Sequence, residues 1–192
     1  YYQQAYAPYK MYHATEDLYS PDFPGSPLPK TLLDNLDRVI DIADEVICVS
    51  EGVMNNIIGR NLKWQNKLRA ITNGCDYEFY AIDASFKLKN NKKIAIYQGN
   101  IFDKIDFKLI SEVVKNMPEW TFQFCGPVIL SPDNWNRFLG KHNNVEYLGV
   151  LSPNQLKLAM QEATVGIIPF GQAAYLVSSS FPLKAFEYIA CG

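Results

Sequence analysis

Four short strand-like runs in the second half of the chain, three of them closed by a glycine, constrain the fold more than any other feature. They are Ile94–Gln98 before Gly99, residues 120–125 before Gly126-Pro127, residues 145–148 before Gly149, and residues 165–169. Helical signals separate them. Residues 106–116 carry Phe107, Leu109, Ile110, Val113 and Val114 at helical spacing. Ser131-Pro132 reads as an N-cap with proline at the first helical position. Ser152-Pro153-Asn154-Gln155 is a capping box that opens a helix through Ala163. A last helix starts at Pro182. Strands alternating with helices imply a parallel sheet covered on both faces, so the fold class is α/β.

The first half repeats the theme more loosely. Residues 10–13 end a strand, and residues 17–29, rich in proline and turn formers, form a loop. Residues 32–43 are amphipathic, with Leu33, Leu36, Ile40 and Ile42 near one face. Residues 45–49 form a strand, a helix follows to about Arg60, and a strand over residues 68–72 stops at Asn73-Gly74. Residues 83–91 are polar and without periodicity, which marks a junction. The expected organisation is therefore a partial N-terminal domain over 1–82, a linker over 83–91 and a C-terminal domain over 92–192.

Composition excludes several functions. The 192 residues are 48% hydrophobic and 20% charged, with a net charge of −2 and no basic footprint for nucleic acid. Cys48, Cys75, Cys125 and Cys191 form no CxxC pair, and with two histidines no metal site is expected. Cys48 and Cys125 lie in apolar runs, where free cysteine acts as a small hydrophobe. A reduced, cytoplasmic protein is expected, and no stretch approaches the length of a membrane span.

In open α/β sheets, ligands bind beyond the carboxyl ends of the strands. Here those ends carry Gly99-Asn100, Gly126-Pro127, Gly149-Val150, Phe170-Gly171 and the serines Ser178, Ser179 and Ser180 before Pro182. Glycine turns let backbone approach a ligand closely, although glycines also end strands for purely structural reasons. The Pro182 helix offers backbone N–H groups and a positive dipole end to an anion. Lys184 adds a cation, and Glu187, one turn in, can accept hydrogen bonds from hydroxyls. Lys104 could reach a pyrophosphate or be a solvated surface lysine. His13, at a strand end, could donate to a sugar hydroxyl or merely cap a loop. His142, in Lys141-His142-Asn143-Asn144, reads as an exposed turn. No dinucleotide fingerprint and no P-loop is present, so no cofactor is expected.

In series, these segments resemble bacterial GT-B-fold glycosyltransferases of the retaining, family 4-like group. The resemblance rests on residues 43–51 (ADEVICVSE), Asn73-Gly74-Cys75-Asp76 followed by Phe79, and Ile96-Tyr97-Gln98-Gly99. It continues through residues 144–149 (NVEYLG) and 165–170 (VGIIPF) to 182–192 (PLKAFEYIACG). It implies two Rossmann-like domains, with a nucleoside diphosphate sugar held mainly by the C-terminal one and a glycan or lipid-linked acceptor mainly by the other. Glu187 would bind the ribose hydroxyls, the helix start would face the diphosphate, and the Gly149-Val150 turn would lie near the base. His13 would contact the donor sugar as the catalytic candidate. The donor set is Gly99, Asn100, Lys104, Gly126, Pro127, Gly149, Val150, Ser179, Ser180, Lys184 and Glu187.

Two positions depart from the family. Ser179 stands where its second glutamate would contact the donor sugar, and Asn100 stands where an arginine is usual. Lys104 and Lys184 are then the available cations. The resemblance also implies a chain truncated at both ends, inactive alone, whose absent N-terminal region would make any peripheral membrane contact. A sugar-nucleotide epimerase of the same architecture and a non-catalytic nucleotide-sugar-binding paralogue remain the alternatives.

Overall fold

The computed structural model describes residues 8–81, 92–171 and 182–192. They fall into two compact units, one ending at Asn73 and the other beginning at Gly74.

The first unit holds a three-stranded parallel sheet, β1 (Met11–Ala14), β2 (Glu45–Cys48) and β3 (Leu68–Ala70), in the order β1-β2-β3. Helices α1 (Lys30–Ile42) and α2 (Glu51–Arg60) connect the strands, with a 3-10 turn over Leu62–Lys67 before β3. The hydroxyl of Ser50 caps α2 by accepting from Val53 N at 3.2 Å, an interaction typical of serine at this position. Ile40, Val46, Cys48, Val53 and Ile57 form the centre of its core with Trp64. The strand expected over 68–72 ends its ladder at Ala70, although Ile71 N still donates to Cys48 O at 2.9 Å.

The second unit begins with the short helix α3 (Tyr77–Tyr80), capped by Asp76. Its four strands are β4 (Ile94–Gln98), β5 (Thr121–Cys125), β6 (Val145–Gly149) and β7 (Val165–Gly166), all parallel, in the order β6-β5-β4-β7. Between and after them come α4 (Phe107–Asn116), α5 (Pro132–Leu139), α6 (Pro153–Glu162) and α7 (Leu183–Ala190). The Ser152–Gln155 capping box is fully formed at α6. Ser131 precedes Pro132 at α5 as expected, without a side-chain cap bond.

Strand alternation divides this core between the two faces of the sheet. Ala95, Tyr97, Phe122 and Phe124 pack with Ile110, Val114, Trp135 and Phe138 of α4 and α5. Ile96 and Cys125 pack with Met160 of α6 and with Tyr188 and Cys191 at the end of the chain. Covered faces of this kind suit a parallel sheet, whose strands must be apolar on both sides.

Two expectations need correction. The run 165–169 is strand only over Val165–Gly166. Ile167 N donates to Ile96 O at 2.8 Å, and then Pro169, which has no N–H, lies where the chain turns so that Phe170 N meets Ile168 O. His142 is not an exposed turn residue but is buried at 6% exposure. Its Nε2 lies 3.3 Å from the Ser111 hydroxyl and its ring meets Phe138 edge-on, so the helix faces on either side enclose it.

Helix α7 lies against the sheet because Gly166 has no side chain. A Cβ there would come within 2.3 Å of the Tyr188 ring. Gly166→Ala is expected to destabilise the fold by about 1–3 kcal/mol through overpacking, read by denaturant unfolding. Stability unchanged from wild type would mean that α7 can shift freely on the sheet.

Candidate functional site

Three of the glycine turns sit side by side at the carboxyl edge of the second sheet. Gly99, Gly126 and Gly149 all have positive φ, at 118°, 124° and 76°, a region that L side chains rarely adopt. The turns interlock through the backbone. Gly99 N donates to Cys125 O at 3.0 Å and Gly126 N to Gly149 O at 2.8 Å. At Gly126 an added Cβ would stand 2.3 Å from the carbonyl oxygen of Gly99, so only glycine fits. Beside them lies a small cleft of about 170 Å³, lined by Gln98, Gly99, Cys125, Gly126, Pro127, Val150, Leu151 and Leu156.

Helix α7 delivers the charged groups to this edge. The hydroxyl of Tyr188 donates to Ile96 O at 3.2 Å and accepts from Gln98 N at 3.0 Å, pinning the helix to the end of β4. Glu187 is then held by the Gln98 side-chain amide on one oxygen and by the Tyr80 hydroxyl, at 3.0 Å, on the other. Burial, together with the Glu187 charge, pushes the Tyr80 phenol up to about 12, so it stays a donor at neutral pH. A carboxylate has about four acceptor positions. Among the described residues two are engaged, and the geometry leaves room for hydroxyls of a ligand.

Lys184, one turn earlier, points along Gly99. Its Nζ would touch a Cβ at that position at 3.0 Å, and it donates to the Tyr97 hydroxyl at 3.1 Å. The ammonium also lies over the rings of Tyr97 and Phe170, at 4.3 Å and 4.9 Å from their centroids. Burial lowers its pKa from 10.5 to about 8, with the Glu187 charge opposing the shift and the Lys104 charge adding to it. A desolvated cation of this kind gains much from an incoming anion. Lys104 sits in the loop after β4, where its carbonyl accepts from Gly171 N at 2.9 Å. Asn100 is exposed, and its carbonyl accepts from the Tyr97 hydroxyl at 2.7 Å.

The second unit thus brings together Gly99, Asn100, Lys104, Gly126, Pro127, Gly149, Val150, Lys184 and Glu187. His13 lies in the first unit, exposed near the carboxyl end of β1 and in register with Ile47. Ser179 and Ser180 lie outside the described residues. Sequence reasoning missed Gln98 and Tyr80. Gln98 was within reach, because alternation puts it on the same face as Ile96, towards α7. Tyr80, 107 residues before Glu187 in the chain, left no local signal.

The parallel α/β architecture is that of the GT-B glycosyltransferase fold, as comparison with solved structures shows. The chain superposes on Anabaena HepE in complex with UDP-glucose with a TM-score of 0.70 at 19% identity, covering 94% of this chain and 50% of that one. Sucrose-phosphate synthase from Thermosynechococcus elongatus gives 0.72 at 17% identity, covering 95% and 48%. Among curated proteins the chain is similar to TuaH of Bacillus subtilis (strain 168), named as a teichuronic acid biosynthesis glycosyltransferase, an activity the name gives as provisional. The two are 30% identical over 160 residues, which is 81% of this chain. The chain spans 40% of the length of that relative. No family model matches it.

The half-buried lysine has a measurable signature. Its folded pKa lies below the unfolded value, so the native state resists holding that proton, and the penalty is relieved as pH rises from about 8 towards 10.5. Relative to a Lys184→Met variant, wild-type stability is expected to improve across that window in thermal melts. A difference independent of pH would show that Lys184 is solvated.

Proposed function

We propose that this chain is the donor-binding part, with some of the acceptor side, of a glycosyltransferase that moves a sugar from a nucleoside diphosphate to a glycan or lipid-linked acceptor. The observation that carries the reading is the Glu187 carboxylate, held by Gln98 and Tyr80 beside the half-buried Lys184 ammonium at the interlocked glycine turns. Charge stabilisation of the leaving diphosphate is the main demand of such chemistry, and fixed dipoles and cations in a poorly solvated site meet it. Lys184 and Lys104 supply the positive charge for the diphosphate, with the N–H groups at the start of α7. Glu187 takes the vicinal ribose hydroxyls, Gly149 and Val150 border the base, and the Gly99, Asn100, Gly126 and Pro127 turns allow close approach of the ligand. Ser179 and Ser180 belong to the proposed donor set on sequence grounds. So does His13, proposed as the group that meets the donor sugar.

The reading extends to a retaining, family 4-like mechanism with the donor held by the second unit and the acceptor by the first. UDP-glucose is the first donor to try, because HepE was solved with it. The similarity to TuaH supports a polysaccharide acceptor.

Isothermal calorimetry with UDP-sugars tests the assignment. Glu187→Ala is expected to weaken donor binding by ten-fold or more, on the order of the loss from removing a charged hydrogen-bond partner. Unchanged affinity would remove the ribose role. In a full-length parent, His13→Ala is expected to lower turnover sharply with modest loss of donor affinity, and normal turnover would return His13 to a loop-capping role.

A further inference from the structure

A second feature of the same unit lies on the opposite face of its sheet from Glu187. Helices α4 and α5 bound a groove of about 510 Å³ there. Phe107, Leu130 and Phe138 form its apolar part, with the Phe107 and Phe138 rings edge to face at 5.1 Å. Around it stand four exposed cations, Lys108, Lys115, Arg137 and Lys141, and a single carboxylate, Glu112. None of the four makes an ion pair with a described residue, whereas Lys92 and Lys93 of the same unit are paired with Glu162 and Glu119. On a chain of net charge −2, this is a concentrated positive field. His142, buried beside Phe138, senses it. Burial first, and then the Lys115 and Lys141 charges, lower its pKa.

We propose that the α4–α5 groove docks on an anionic phospholipid surface. Its charge and its apolar floor are complementary to a lipid rather than to a simple ion. A small soluble anion would use the cations and leave the aromatic floor without a partner. A phospholipid engages both, with phosphates at the rim and the glycerol and upper acyl region over Phe107 and Leu130. Lys and Arg stems are long enough to lie along apolar surface while their heads reach phosphates. Several such residues near an anionic leaflet add their attractions and are sensitive to salt. The inference does not depend on the donor assignment, since the two sites occupy different faces of the sheet.

Vesicle co-sedimentation of the chain decides it. Wild-type protein is expected to pellet with phosphatidylcholine vesicles that contain phosphatidylglycerol, not with phosphatidylcholine alone, and to be released by raised salt. Lys115→Gln combined with Arg137→Gln should lower partitioning roughly ten-fold or more, and Glu112→Gln should raise it. All three positions are exposed, and circular dichroism checks that the variants stay folded. Equal partitioning to both vesicle types, or a double variant that binds like wild type, overturns the proposal. So does release of the protein by millimolar glycerol phosphate, which would mark a site for soluble anions instead.

Discussion

The hydroxyl of Tyr188 is the small contact on which the candidate site depends. It reaches the main chain at the end of β4 from a helix that could otherwise slide along the sheet. By giving a hydrogen bond to Ile96 O and taking one from Gln98 N, it fixes both the height and the rotation of α7. The ring needs the space over Gly166, and that space exists only because position 166 has no side chain. With Tyr188 fixed, the neighbouring Glu187 falls within reach of Gln98 and Tyr80, and Lys184, one turn back, lies against Gly99.

This arrangement sets the electrostatics as well as the geometry. Lys184 is half-buried between two aromatic faces, with one phenolic oxygen as acceptor among the described residues. Desolvation therefore works against the charge on this lysine. Glu187, three residues along the helix, offsets part of that penalty, while Lys104 adds to it. The same logic separates this edge from the α4–α5 face, where the cations are exposed and keep their water.

Much of the second unit was legible in the sequence because its signals are local. Short apolar runs stopped by glycine, a capping box at Ser152 and a proline-started helix at 182 each constrain a few neighbouring residues, and each appears in the structure close to its expected place. Gly99, Gly126 and Gly149 were readable as turns for the same reason. What the sequence hid were the contacts made across long separations. Tyr80 reaches Glu187 from a segment assigned to the other side of the junction. His142 looked solvated because its neighbours are Lys141, Asn143 and Asn144, and its burial comes from Ser111 and Phe138. In the first unit, strand ends blurred where bonding outlasted the ladder, as at Ile71. Local chemistry declares turns and helix starts, while the partners of a side chain are set by the fold as a whole.

The interlocked turns at Gly99 and Gly126 carry a consequence of their own. Where the carbonyl of one presses against the α-carbon of the next, that part of the cleft wall is built from peptide groups, and peptide groups are the same whatever the genetic code prescribes. Mutation can change the residues beside it, at Asn100, Pro127 or Val150, and under the proposed function this would alter which donor is preferred. That stretch of wall has no side chains to exchange, whereas Gln98, Leu151 and Leu156 line the cleft beside it. Under the proposed function, such a protein could change its preferred donor while that stretch of backbone stays constant.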